Sequence, residues 1–267
     1  MIVDTHAHLD QPDFDADRDD VVRRAQEAGI EAIVCIGLDV PSSKATISLA
    51  ERYPIVWAAI GVHPHYAGTL NRNALEEMRA MASHPKVVAV GETGLDYYRM
   101  KAPREVQLRA FQSQLALAGD LGLPVVIHDR DAHEEVMRIL GKWAGSRPRK
   151  EGTMGALHCF SGDVALAREA ISYGFMISIA GPVTFPKADR LAELVRGVSP
   201  STLITETDCP FLAPQQFRGK RNEPAYVKFV VETIAKLRSE TVDVVAKATS
   251  DNARRLFKLD LKEGHRP

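Results

Sequence analysis

The sequence predicts an α/β protein folded as a (β/α)8 TIM barrel, and three observations carry that expectation. Eight short apolar runs recur along the 267 residues, and segments of helical periodicity lie between them. The runs are apolar almost throughout, as strands buried on both faces of a parallel sheet must be. The length is close to the roughly 250 residues typical of such a barrel, which counts as one domain, so residues 1–267 are expected to form a single one.

In chain order, the strands are expected at IVDTHAHL (2–9), EAIVCIGL (31–38), IVWAAIGVH (55–63), VVAVGETGLD (87–96), PVVIHDRD (124–131), MGALHCFSG (154–162), FMISIAGPV (175–183) and LITETDCP (203–210). Helical periodicity marks DRDDVVRRAQEAG (17–29), REVQLRAFQSQLALAGDLG (104–122) and KADRLAELVRGV (187–198). Of two further helical patterns in the tail, AYVKFVVETIAKLRS (225–239) serves as the eighth barrel helix. The other, TVDVVAKATSDNARRLF (241–257), is expected to pack outside. The basic, breaker-rich GSRPRKEG (145–152) reads as a solvated loop before the sixth strand.

Composition excludes several classes. Hydrophobic residues make up 45% and charged residues 26%, which is globular rather than disordered or fibrous. No apolar run approaches the roughly 20 residues of a membrane span, and the chain enters a strand at once without a signal core, so a cytoplasmic location is expected. A formal net charge of -1 provides no broad basic surface, so a polyanionic substrate must be held locally. The three cysteines, Cys35, Cys159 and Cys209, show no CxxC spacing and read as packing residues, not as a disulfide framework.

Chemistry concentrates at the strand ends, where barrels of this kind carry their active sites. Side chains alternate along a strand, so His6 and His8 project to one face and Ala7 to the other. The third run ends in His63 and His65, the fourth in Glu92, the fifth in His128, the sixth in His158 and the eighth in Glu206 and Asp208. Six of the nine histidines thus share one predicted face; His84, His133 and His265 are expected at the surface. Converging imidazoles and carboxylates are costly to bury unless paired or metal-bound. Two divalent ions fit the count, with His6, His8 and Asp208 around one, His128 and His158 around the other, and Glu92 between them. Such a pair activates a water and neutralises charge on a scissile ester. Mixed N/O donors suit Mg, Mn or Zn, and the residues do not choose among them.

DTHAHLD, GVHPH, GETGLDYYR, QLALAGDLGLPVVIHDRDA, LHCFSG and ETDCPFL with RGKRNEPAY resemble, in order and spacing, the motifs of the TatD family of metal-dependent deoxyribonucleases in the amidohydrolase superfamily. The resemblance runs from Met1 to about Phe257. It implies a TIM barrel, a binuclear divalent-metal site and hydrolysis of DNA phosphodiesters, often 3′ to 5′ from single-stranded ends. It also implies His6, His8, Glu92, His128, His158 and Asp208 as metal ligands and His63 as a substrate-contacting residue. Thr93, where many relatives carry Ile, and Gln215–Gln216 depart from the pattern without removing a ligand.

Under that reading a water attacks phosphorus, Asp208 takes its proton, and His63 stabilises the phosphoryl charge. His65 is counted with the substrate contacts. Arg130, Arg218 and Lys220 are candidate phosphate holders, since Arg forks match phosphate oxygens. Glu206 orients a ligand rather than reacting. An alternative is a metal-dependent amidohydrolase or esterase, including D-aminoacyl-tRNA deacylation. Many superfamily relatives bridge their metals with a carboxylated lysine, and Glu92 at that position favours the nuclease branch. A non-enzymatic nucleic-acid-binding scaffold is the third reading, and the intact ligand set weighs against it.

Overall fold

A computed structural model of the protein describes residues 1–146 and 154–260. Eight strands, β1 (Ile2–Ala7), β2 (Ile30–Ile36), β3 (Val56–Ile60), β4 (Val87–Asp96), β5 (Val125–Arg130), β6 (Gly155–Leu157), β7 (Phe175–Ile179) and β8 (Leu203–Thr205), pair in sequence order and all in parallel. A parallel bridge between Ala7 and Cys209 joins the end of the last strand to the first. There Asp208 N–H donates to the His6 carbonyl and His8 N–H to the Cys209 carbonyl, each at 2.8 Å. The result is the expected (β/α)8 barrel. Most of the basic segment expected as a loop, 147–152, lies outside the described residues, as does His265.

Alternation divides the apolar core in two. One cluster fills the barrel: Val3, Val34, Trp57, Ala59, Val126, Ala156, Met176 and Ile204. The other lies between the strands and the surrounding helices, with Ala7, Ile33, Ala58, Val125, Leu157 and Ile177. The tail helix (Val242–Phe257), expected to pack outside, instead plugs the barrel floor: Ala253, Leu256 and Phe257 belong to the interior cluster. Its Asn252 amide donates to the carbonyls of Pro200 and Leu203, both at 2.7 Å, tying the plug to the entry of β8. No described helix is long and apolar enough to cross a membrane.

Counting two residues upward from the interior layer reaches the polar face: Val126 leads to His128, Ala156 to His158, Met176 to Ser178, and Ile204 to Glu206 and then Asp208. Strands β6 and β8 are shorter than the sequence predicts, ending at Leu157 and Thr205, so His158 and Asp208 stand in the turns just beyond. His63 and His65 likewise follow β3, with His63 capping the short helix Pro64–Thr69.

Two bulges adjust this simple alternation. Strand β1 pairs Asp4 with Ile33 and Ala7 with Cys35, so an extra residue in β1 sits beside His6. Strand β4 pairs Val90 with Val125 and Thr93 with Ile127, placing another beside Glu92. Bulges re-aim side chains, and here both re-aim candidate ligands. The backbones crowd at this point. Gly94 has φ +144°, and a Cβ there would fall 1.9 Å from the His128 carbonyl oxygen. Gly94→Ala is therefore expected to cost about 3 kcal/mol and to lower Tm by roughly 6–12 °C; calorimetry checks this.

Candidate metal centre

Glu92 occupies the middle of the barrel mouth because its backbone N–H reaches the Gly37 carbonyl of the β2 end, at 3.2 Å. Only glycine at position 61 permits this approach, since a Cβ there would lie 2.4 Å from the Gly91 carbonyl carbon. The carboxylate is buried, and its two oxygens face different partners. Oε2 lies 3.4 Å from His6 Nε2 and 3.9 Å from His8 Nε2. Oε1 lies 2.7 Å from His128 Nδ1, 2.9 Å from His158 Nε2 and 3.5 Å from His63 Nε2. Asp208 Oδ1 completes the first side, 3.6 Å from His6 Nε2 and 3.4 Å from His8 Nε2.

Three groups among the described residues bring donor atoms within 4.8 Å of one another: His6–His8–Asp208, His63–Glu92–His128 and His6–His158–Glu206. Hydrogen bonds to the far ring nitrogens show which imidazoles have a lone pair to offer. His8 Nδ1 lies 3.0 Å from the Ile36 carbonyl, which only accepts, so Nδ1 carries the proton and Nε2 the lone pair. His158 Nδ1 faces Glu206 Oε1 at 3.2 Å and His128 Nε2 faces Asp96 Oδ2 at 3.3 Å, with the same consequence. These three ring nitrogens point at carboxylate oxygens, hold a proton there while no cation is bound and offer a lone pair once a cation displaces it, and His6 and His8 bring their Nε2 atoms within 3.2 Å. A donor set of this kind fits divalent cations.

His63 differs. Its Nδ1 accepts the His65 backbone N–H at 3.0 Å, so the neutral ring carries its proton on Nε2, 3.3 Å from His128 Nδ1. It is equipped to donate a hydrogen bond, not to ligate. Burial holds its imidazole well below the usual range, which keeps it neutral.

Glu206 lies beneath His158: besides facing Nδ1, its Oε1 accepts the Cys159 N–H at 2.7 Å, and Oε2 accepts the Ser178 hydroxyl. Sequence reasoning missed Asp96. It accepts from Arg99 N–H at 2.7 Å and binds His65 Nε2 at 2.8 Å besides His128. Its position two and four residues along β4 from Gly94 and Glu92, on the same side of the strand, was the available signal. His65 is thus turned to the carboxylate that also orients His128. His84 and His133 pair with Glu51 and Asp129 away from the donor set.

The expected phosphate holders stand farther out. Arg130, half-exposed, places its guanidinium 5.0 Å over the Tyr98 ring. Arg218 lies 5.1 Å over Phe185, and both it and Lys220 are exposed. Arg221 is structural: it grips Asp17 through two nitrogens, each at 2.7 Å, and donates to the Asp13 carbonyl. The three cysteines are free, with Cys35 and Cys209 buried and Cys159 half-buried.

The charges compress into a field that favours cations. Burial opposes charge on His8, but Asp208 and Glu92 override it and push the imidazole up to about 9. His158 is raised well above the usual range by Glu92 and Glu206 against the same opposing burial. Glu92, despite burial that works the other way, is held well below the carboxylate range by the charge of His158 and by hydrogen bonds from His128 and His158. In the unfolded chain His8 titrates near about 6.5. Its proton therefore stabilises the metal-free fold fully below about 6.5, and that contribution is lost as pH rises through about 9. A cation must displace this proton, so divalent-ion affinity is expected to rise from pH 6 toward pH 9, with proton release on binding. Calorimetric titration in buffers of different ionisation enthalpy measures both.

The profile of the family described as TatD related DNase matches residues 3–258. A Bacillus subtilis protein named uncharacterized metal-dependent hydrolase YabD is 43% identical over 260 residues, spanning 97% of this chain and 100% of that one. The 3'-5' ssDNA/RNA exonuclease TatD of Erwinia amylovora is 38% identical over 262 residues, 96% of this chain and 99% of its own. Among solved structures, the TatD homolog YJJV of Escherichia coli superposes with a TM-score of 0.90 at 30% identity, covering 97% of this chain and 98% of that one.

Proposed function

The chain belongs to the family of TatD-related DNases and is a metal-dependent hydrolase, and on that premise we propose that it removes nucleotides from single-stranded 3′ ends of DNA with two divalent ions bound. The observation that carries the two-ion reading is the division of Glu92. One oxygen faces His6 and His8, which Asp208 also meets, and the other faces His128 and His158, with His63 Nε2 farther off at 3.5 Å. Bound there, the ions supply Lewis acidity toward phosphoryl oxygens and make water a nucleophile near neutral pH.

The chain's own groups do the rest. Asp208 is the more open of the two carboxylates, its side chain 13% exposed against 3% for Glu92, so it takes the proton of the attacking water. His63 Nε2–H donates to the phosphoryl oxygen as charge develops. Glu206 and Asp96 hold His158 and His128 in the tautomers that ligation needs. Arg130 and Arg218 retain the polyanion at the rim without reaching the donor set.

Removal and return of the metal test the reading. Chelator-stripped protein is expected to leave a labelled single-stranded oligonucleotide intact, and added Mn or Mg to restore stepwise loss of nucleotides from its 3′ end. Undiminished cleavage in excess chelator, or hydrolysis of an aminoacyl ester in place of the oligonucleotide, overturns it.

A further inference from the structure

Phe211 stands three residues beyond Asp208 with its ring centroid 6.2 Å from that of His8, and it is 53% exposed. An exposed phenyl ring carries no message by itself, but the backbone that carries this one is pinned on both sides. Its backbone N–H donates to the Asp208 carbonyl at 2.9 Å. Its carbonyl accepts the side-chain amide of Asn222 at 2.6 Å. Asn222 is fully buried and also ties down the Thr207 carbonyl at 2.8 Å. A pinned backbone thus presents one exposed aromatic ring beside His8 and Asp208, two of the candidate ligands.

A phosphodiester that reaches the donor set brings its neighbouring base to this rim. Bases stack on aromatic side chains whatever their identity, because each presents a π-face. Resting on the nuclease reading above, we propose that the Phe211 ring is the stacking platform for the nucleobase adjoining the scissile phosphate. The site then takes unpaired ends in preference to duplex, since a paired terminal base is already stacked and unavailable.

The test uses the metal-loaded full chain, wild type and F211L, which keeps apolar bulk but removes the ring. Each acts on a 3′-labelled single-stranded oligonucleotide with an ordinary end and on one whose last two residues are abasic. The abasic end is expected to lower kcat/KM of wild type about tenfold, mostly through KM, and F211L to lower it about tenfold on the ordinary end. The combined loss is expected to be no greater than either alone. A 2-aminopurine at the end is expected to be quenched on binding wild type and less so on F211L. Additive losses, or a quench that F211L leaves unchanged, overturn the assignment, as does an F211L effect seen only in the oligomeric state. Equal cleavage of the ordinary end by both proteins overturns it alone. A wild type that cuts no oligonucleotide overturns the nuclease reading with it.

Discussion

Glu92→Gln is expected to lower kcat by about a thousandfold or more and to reduce bound divalent ion from two equivalents to at most one. The carboxamide keeps the size and one oxygen acceptor, but its NH2 end cannot ligate. Whichever side of the site that end faces loses a ligand, either the His6–His8–Asp208 side or the His128–His158 side. Several kcal/mol of transition-state stabilisation depend on the cations, and each 1.36 kcal/mol is tenfold in rate. The substitution also leaves the raised imidazoles of His158 and His128 without their nearest negative charge. The metal-free variant is therefore expected to bind fewer protons at pH 7 than metal-free wild type. Metal analysis, steady-state kinetics and proton titration together check these outcomes. Full ion content with unchanged kcat contradicts the proposed place of Glu92 between two ions.

Asp208→Asn separates ligation from proton transfer. Asp208 sits at φ +57°, a region asparagine tolerates better than most residues, so the backbone is expected to stay as it is. The remaining side-chain oxygen can still face His6 and His8. What disappears is the basic oxygen that accepts a proton, and general-base catalysis contributes about 10²- to 10⁴-fold. The expected result is a kcat lower by about a thousandfold, with KM near wild type and two ions retained. Loss of an ion along with activity would make Asp208 a ligand first and a base second.

Much of this site is legible in the sequence because strand alternation is a local rule. It places His128 above Val126, His158 above Ala156, and Glu206 and Asp208 above Ile204, with no knowledge of the partner strands. What it cannot reach is register. The bulges that turn His6 and Glu92 inward depend on how β1 pairs with β2 and β4 with β5, and a pairing is a property of two strands. Arg221 shows the same limit. In the sequence it is one more basic residue in RGKRN, yet its partner Asp17 is 204 residues away. The floor plug was hidden for a related reason, since an amphipathic pattern shows which face is apolar but not what it meets. Asp96 was within reach by extending the Glu92 face two more steps.

Anomalous diffraction from crystals of the Mn-loaded protein shows whether Glu92 stands between two ions. Two peaks are expected, roughly 3.5 to 4 Å apart, one against Glu92 Oε2 with His6, His8 and Asp208 and the other against Oε1 with His128 and His158. A single peak, or one ligated by His63 Nε2, would contradict the division of the site by Glu92.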